Sequence, residues 1–437
     1  MSDPDRPRPN ADRDLSIDLV RVGCVLLVVF VHLVLVGVGR NPDGSLLITS
    51  GVENARWATP ASWAAEIMPL FFVIGGFTAR IGYRSSQARG ETSSGFIRKR
   101  LDRLARPALP LYLFLSVGLL TATALGVPPK LLDAVATPVG SVLWFLGAYM
   151  TVQALAPIMI RWHERSPYGS AATLIVAALA VDIIRLVVGI RWLDLPRIDK
   201  SGYGFGEQFF GLPNMVLVWL FCQQIGFLLH DGAFERLSRL RQVGVAIGGV
   251  AALLALTYFG SYSWFMLTNQ WPPTTPLAIL AVIQAAAYTL LRPTLQAVMR
   301  TRPAQGMVMF FGPRLMTIYL WHVSAICALT ALIVFGPWGA PTPGGAIWWW
   351  TRPLMLVGVL GIVWAISLGA SRLELPRPAR THPAGPVRVS TAVVLFVLPS
   401  VAISLYGLDL WLACFAVAAT WLALVISRGR GPVSTAL

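Results

Sequence analysis

Asp18, Arg21 and His32 fall within one otherwise apolar stretch, IDLVRVGCVLLVVFVH. On a helix, the steps from Arg21 to His32 make three turns plus about 20°, so the two share a face about 16 Å apart along the axis. Asp18 lies three residues before Arg21 on that face, at ion-pair spacing. The stripe offers an imidazole suited to take a proton from a hydroxyl. Its guanidinium is suited to orient an anionic ligand or steady developing negative charge. Both also have structural readings, since Arg21 can snorkel to headgroups and His32 can bond a neighbouring helix. His322 in MTIYLWHVSA and Glu66 are further ionisable groups in apolar surroundings, where each is costly and hence a functional candidate.

Arg98-Lys99-Arg100, Arg103 and Arg106 form the densest basic cluster, running into Pro107. It suits phosphate oxygens and lipid headgroups alike. Asp182 and Arg185, three residues apart, are expected to form a structural pair. His163, His230 and His382 fall in or beside connecting loops and are expected to be solvated. Cys24, Cys222, Cys327 and Cys414 all sit in apolar runs and read as small buried hydrophobes, so Cys24 is a poor nucleophile. There is no C-x-x-C, no Cys/His spacing that would hold a metal, and no G-x-S-x-G. Neither a metal nor a resident cofactor is expected.

The elements that must position these residues are membrane helices. Of 437 residues, 56% are hydrophobic and only 13% charged, against about 25% charged in a soluble domain. That deficit implies a surface facing lipid and argues against a water-soluble enzyme or a disordered chain. Twelve runs long enough to cross a bilayer occur, from 17–38 to 409–427. The expected fold is an all-α polytopic bundle. A polar tail (1–16) precedes a ten-span core (17–370), followed by a basic linker (371–390), two extra spans (391–427) and a short tail (428–437). No cleavable signal peptide is expected at the polar start.

The net charge of +15 is read as orientation. With the N-terminus inside, 25 basic residues fall in cytoplasmic segments and 7 on the other side. This is a positive-inside pattern with both termini cytoplasmic, and it leaves no role for nucleic acid. The opposite connections 191–212 and 261–276 read as interface turns or, alternatively, as substrate-lining loops.

Asp18-x-x-Arg21 with His32 resembles the first-span signature of the acyltransferase-3 family of integral membrane O-acyltransferases. MPLFFVIGGF (68–77), RKRLDRLARPALPLY (98–112), LWFLGAYM (143–150) and TIYLWHVSA (317–325) resemble it in the same order. LVWLFCQQIGFLLHDG (217–232) and NQWPPTTPLAIL (269–280) are similar to its actinobacterial branch. Gly75-Gly76-Phe77 departs from the Ser-Gly-Phe of many relatives. The resemblance covers about 15–370.

The resemblance implies a multi-pass protein of the bacterial inner membrane. Its donor would be a cytoplasmic acyl-CoA, in the first instance acetyl-CoA. The acceptor would be a hydroxyl of an envelope glycolipid or carbohydrate on the far side. In that scheme His32 is the general base and Arg21 orients the donor or stabilises charge. Arg98, Arg100, Arg103 and Arg106 meet the nucleotide phosphates, while Asp18, Glu66 and His322 support the site, with Glu66 binding a sugar hydroxyl or tuning His32. The competing class is a secondary transporter or flippase with twelve spans. GGFTARIGYR (75–84) resembles a transporter loop motif, but Ala79 stands where that motif has its Asp, and the halves show no repeat.

Overall fold

The computed structural model describes residues 14–41, 43–53, 55–192, 208–337, 339–374, 380–382 and 384–433. Most of the polar tail, most of the 191–212 connection and the last four residues lie outside the described residues. The chain opens with α1 (Leu15–Leu35), whose first turn is capped by the Asp14 carboxylate accepting from Ser16 N at 3.0 Å. A hairpin of β1 (Gly37–Arg40) and β2 (Leu46–Thr49) leads to α2 (Ala58–Ala65) and α3 (Met68–Ala88). Next come α4 (Ser93–Ala124), α5 (Pro129–Ser141), α6 (Trp144–Arg165) and α7 (Pro167–Ile184). The short α8 (Gln208–Gly211) precedes α9 (Asn214–His230), α10 (Arg239–Phe259), α11 (Thr275–Met299) and α12 (Arg302–Phe311). The chain continues with α13 (Leu315–Phe335), α14 (Ala346–Glu374), β3 (Arg380–His382), α15 (Pro386–Tyr406), α16 (Leu410–Ile426) and β4 (Arg430–Val433).

Among the described residues, eleven helical segments are long and apolar enough to cross a membrane, and α16 adds 17 residues of the same character. Each coincides with one of the twelve apolar runs. The protein is a multi-pass helical bundle, as its composition requires. Alternation of the spans is visible in side-chain contacts at the two ends. At the end where α1 begins, Arg292 from α11 bonds Asp14 (2.8 Å) and also Glu235, just after α9. At the opposite end, Arg40 after α1 donates to the Val334 carbonyl near the end of α13 (3.1 Å). Antiparallel pairing of β3 with β4 joins the linker after α14 to the tail after α16.

Helices α3 and α9 touch backbone to backbone. A Cβ on Gly76 would run into the Gln223 carbonyl, and one on Gly226 into the Val73 carbonyl. Without a hydrophobic driving force between helices in lipid, such close approach is what holds a pair together. Helices α15 and α16 pack on α4 and α6, where the Ser400 hydroxyl lies 3.2 Å from that of Tyr112.

Two expectations about charged residues are corrected, both because a buried polar group takes whatever partners surround it. Asp182, fully buried, is satisfied by Asn214 Nδ2 (2.9 Å), Tyr262 OH (3.0 Å) and Thr275 N (2.8 Å) rather than by Arg185. His163 is not solvated. It is fully buried, with Nδ1 on Gln224 Oε1 (2.9 Å) and Nε2 on Asp231 Oδ2 (3.1 Å). Asp231 also receives Arg80 through two bonds and His230 at 2.9 Å, tying together the ends of α3, α6 and α9. Cys414 is a third correction: Cys24 and Cys222 are buried, but this thiol faces outward.

Candidate active site

Arg21, Arg100 and Arg103 line a cavity of about 80 Å³ together with Phe71, Phe145, Tyr149, Gln153 and Tyr319. Five helices contribute: α1, α3, α4, α6 and α13. Arg100 reaches it because α3 has a glycine in the way. The guanidinium packs over the Phe96 ring at 5.0 Å, and a Cβ on Gly82 would stand 2.8 Å from its Nη2. Arg98 instead turns onto Asp102 (3.3 Å), and Arg106 onto the Arg372 carbonyl (3.2 Å). The basic cluster therefore divides into two residues on the cavity and three tied to neighbouring structure, Lys99 donating to Glu91 Oε1 at 2.6 Å. Asp18 lies 3.8 Å from Arg21, with the arginine side chain still 31% exposed.

Further along the same face of α1 is His32. Its Nδ1 lies 2.9 Å from the Val28 carbonyl. A carbonyl only accepts, so Nδ1 carries the proton in that bond and Nε2 keeps its lone pair. His322 on α13 repeats the arrangement, with Nδ1 2.6 Å from the Tyr319 carbonyl and a buried Nε2 without a hydrogen-bond partner among the described residues. The two rings meet edge-on at 4.9 Å. Sequence spacing gives the Arg21–His32 face, and the fold adds His322 from almost 300 residues away.

Tyr319 joins the arginine cavity to the histidine pair. It lines the cavity, its ring packs on Phe145 at 4.6 Å, and the His322 ring is 5.7 Å away. Its hydroxyl donates to the Val142 carbonyl at 2.8 Å, which fixes the ring. The wall on α6 is a ladder, since Phe145, Tyr149 and Gln153 recur every four residues on one helical face. LWFLGAYM carried the first two, but nothing in the sequence distinguishes Gln153 from any other glutamine in a span.

Glu66 closes the opposite end of the bundle, between α2 and α3. It is fully buried, and Oε1 accepts from Met68 N and Gln270 Nε2, each at 3.2 Å. Oε2 has no partner among the described residues, while the Glu66 carbonyl accepts from Gln284 Nε2 at 2.7 Å. The 261–276 connection therefore packs onto this corner. Met266 N also donates to Ser62 Oγ (2.8 Å), and Trp63 Nε1 to the Trp264 carbonyl (2.9 Å).

Taken together, the arrangement has a cationic chamber toward one face, a pair of imidazoles with free lone pairs deeper in, and a buried carboxylate beyond. Comparison with protein families finds one whose model, described as an acyltransferase domain, matches residues 14–368. No curated protein and no solved structure matches the chain.

Proposed function

The chain belongs to the acyltransferase-3 family and is a membrane acyltransferase, and from that premise we propose its donor, acceptor and site. The donor is a cytoplasmic acyl-CoA, carrying acetyl or another short acyl group. The acceptor is a hydroxyl of an envelope glycolipid or carbohydrate approaching from the other side of a bacterial inner membrane, with the N-terminus in the cytoplasm.

One observation carries this reading. The arginine-lined cavity and the histidine pair lie along one face of α1, joined by Tyr319. Arg21, Arg100 and Arg103 suit the nucleotide phosphates. About 16 Å separates Arg21 from His32 along the axis, a distance of the order of the extended pantetheine arm. That separation favours Arg21 as a donor-orienting residue over a role at the thioester carbonyl. Arg98 and Arg106 then act indirectly, by holding α4 in register.

At the reacting end, His32 Nε2 takes the proton of the acceptor hydroxyl while the oxygen attacks the thioester carbon. The C–O bond forms, the C–S bond breaks, and the proton leaves with the CoA thiolate as a thiol. The Nδ1–H on Val28 keeps the ring oriented throughout. His322 backs the imidazole, and Glu66 is available to a sugar hydroxyl through Oε2.

Envelope-lipid and polysaccharide mass spectrometry on a deletion strain tests the reading. An acyl mass should disappear, and the wild-type gene should restore it. His32→Ala should insert normally but transfer about 10²–10⁴ times more slowly, the usual contribution of a general base. Restoration by the variant would remove His32 from the chemistry. An unmodified precursor stranded on the cytoplasmic side, with no acyl mass lost, would indicate transport instead.

A further inference from the structure

Gln153 is 1% exposed and lines the arginine cavity. Among the described residues, neither its Oε1 nor its Nε2 has a hydrogen-bond partner. A buried carboxamide with both halves unpaired is unfavourable, and native structures rarely leave one without a use. Nearby glutamines show the contrast. Gln224 is engaged through Nε2 with the Met159 carbonyl (3.2 Å) and through Oε1 with His163 (2.9 Å). Gln223 donates to the Val152 carbonyl at 3.0 Å and leaves only its Oε1 unpaired among the described residues.

The surroundings keep Gln153 uncovered. Across from it is Gly75, where a Cβ would stand 3.6 Å from Nε2 and 3.1 Å from Tyr149 Cε2. On α6 Gln153 is one turn past Tyr149 and two past Phe145, on the side away from the histidines. It therefore lies between the aromatic wall and the cavity's arginines.

We propose that Gln153 is a donor-specificity residue that pairs with an amide of the pantetheine arm. The inference rests on the acyl-CoA reading above. The arm carries two secondary amides, each with one N–H donor and one carbonyl acceptor. The carboxamide offers the complementary pair, Oε1 to the N–H and Nε2–H to the carbonyl. A ligand with phosphates at one end and an amide-bearing arm at the other satisfies arginines and glutamine together. The glycine at 75 leaves that amide open to it.

The test is calorimetric binding to the full-length protein in detergent, with three probes: CoA, a CoA analogue with its arm amides replaced by methylene pairs, and adenosine 3′,5′-bisphosphate. Wild type should bind CoA about tenfold more tightly than Gln153→Leu does, the loss expected for one net hydrogen-bonded pair. Wild type should disfavour the amide-free analogue by a similar factor, and Gln153→Leu should not discriminate. Adenosine bisphosphate should bind both equally. Gly75→Ser, which sets a hydroxyl beside Nε2, should reproduce the loss and serves if the leucine variant does not fold. CoA bound equally by all variants, or equal discrimination by wild type and variant, would overturn the inference and leave the acyl-CoA reading intact; Gln153 would then bond only water. Failure of wild type to bind CoA would overturn both.

Discussion

His32 and His322 have the same backbone anchoring and differ in exposure, and that difference separates the roles proposed for them. Each directs Nδ1 at a helix carbonyl, but His322 is fully buried while His32 is partly open. The open ring can meet a substrate hydroxyl; the buried one can only shape its neighbour. His322→Ala removes the ring packed edge-on against His32 at 4.9 Å, a contact of about 0.5–1.5 kcal/mol, and is therefore expected to lower kcat by up to about tenfold with donor KM unchanged. Steady-state kinetics on purified protein checks this, and a purely KM effect would place His322 in donor binding instead. Away from this site, burial opposes ionisation of Asp231, yet hydrogen bonds from His230, Arg80 and His163 outweigh it and push its carboxyl down to about 2. A depressed carboxylate stabilises the fold above its unfolded value of 3.8, and the contribution is lost as pH falls through about 2. Asp231→Asn should thus cost about 1 kcal/mol near neutrality, since solvent screens part of the gain at this partly open carboxylate. Its deficit in thermal midpoint should shrink as the pH is lowered from about 5 toward 3. The stripe on α1 was legible because helical spacing alone aligns Arg21 with His32. His163 was misread because proximity to a chain turn says nothing about which helices close over that turn.

The helices themselves were legible because lipid imposes length and apolarity on every span. All twelve runs recur as helices, within a few residues at most ends. The partners of each helix were not legible, because apolar surface is equally content against lipid or protein. Glycines carry that missing information in α3 and α9, where Gly76 and Gly226 admit the opposing backbones. Gly226→Ala forces a methyl group against the Val73 carbonyl, and separating the pair also disturbs Gln223 and the Arg80–Asp231 bonds. Overpacking of this kind costs about 1–3 kcal/mol. The expected result is reduced yield of folded protein and a lower thermal midpoint, measured by fluorescence-detected size exclusion after heating. Gly244→Ala, on α10 where an added Cβ meets nothing within 4 Å among the described residues, should be neutral in the same assay. Equal behaviour of the two variants would remove the α3–α9 contact as a stability determinant. The short hairpin after α1 escaped the sequence reading for a different reason: four-residue strands carry too few residues to show an alternation.

At the scale of the whole molecule, the order of the site across the membrane depends on which face is cytoplasmic. The contacts at the two ends fix the alternation of the spans. Arg100 and Arg103 thus belong to the end where α1 begins, and Glu66 to the other. In the proposed orientation, which rests on the charge asymmetry of 25 basic residues against 7, the arginine end faces the cytoplasm and the proposed CoA donor. Both assignments must agree for donor and acceptor to meet at His32 from opposite sides. Cysteine labelling tests them together. With Cys414 replaced by alanine, since its thiol is exposed, single cysteines are placed at two exposed positions, Gln87 at the end of α3 and Ser45 in the hairpin after α1. A membrane-impermeant maleimide should label Ser45→Cys in intact cells and Gln87→Cys only after permeabilisation. The reverse pattern would put the arginine cavity outside, away from any pool of acyl-CoA. The histidine pair would keep its chemistry in that orientation, but its donor would have to be an acyl carrier of the envelope. The topology experiment therefore decides the donor class independently of any activity measurement.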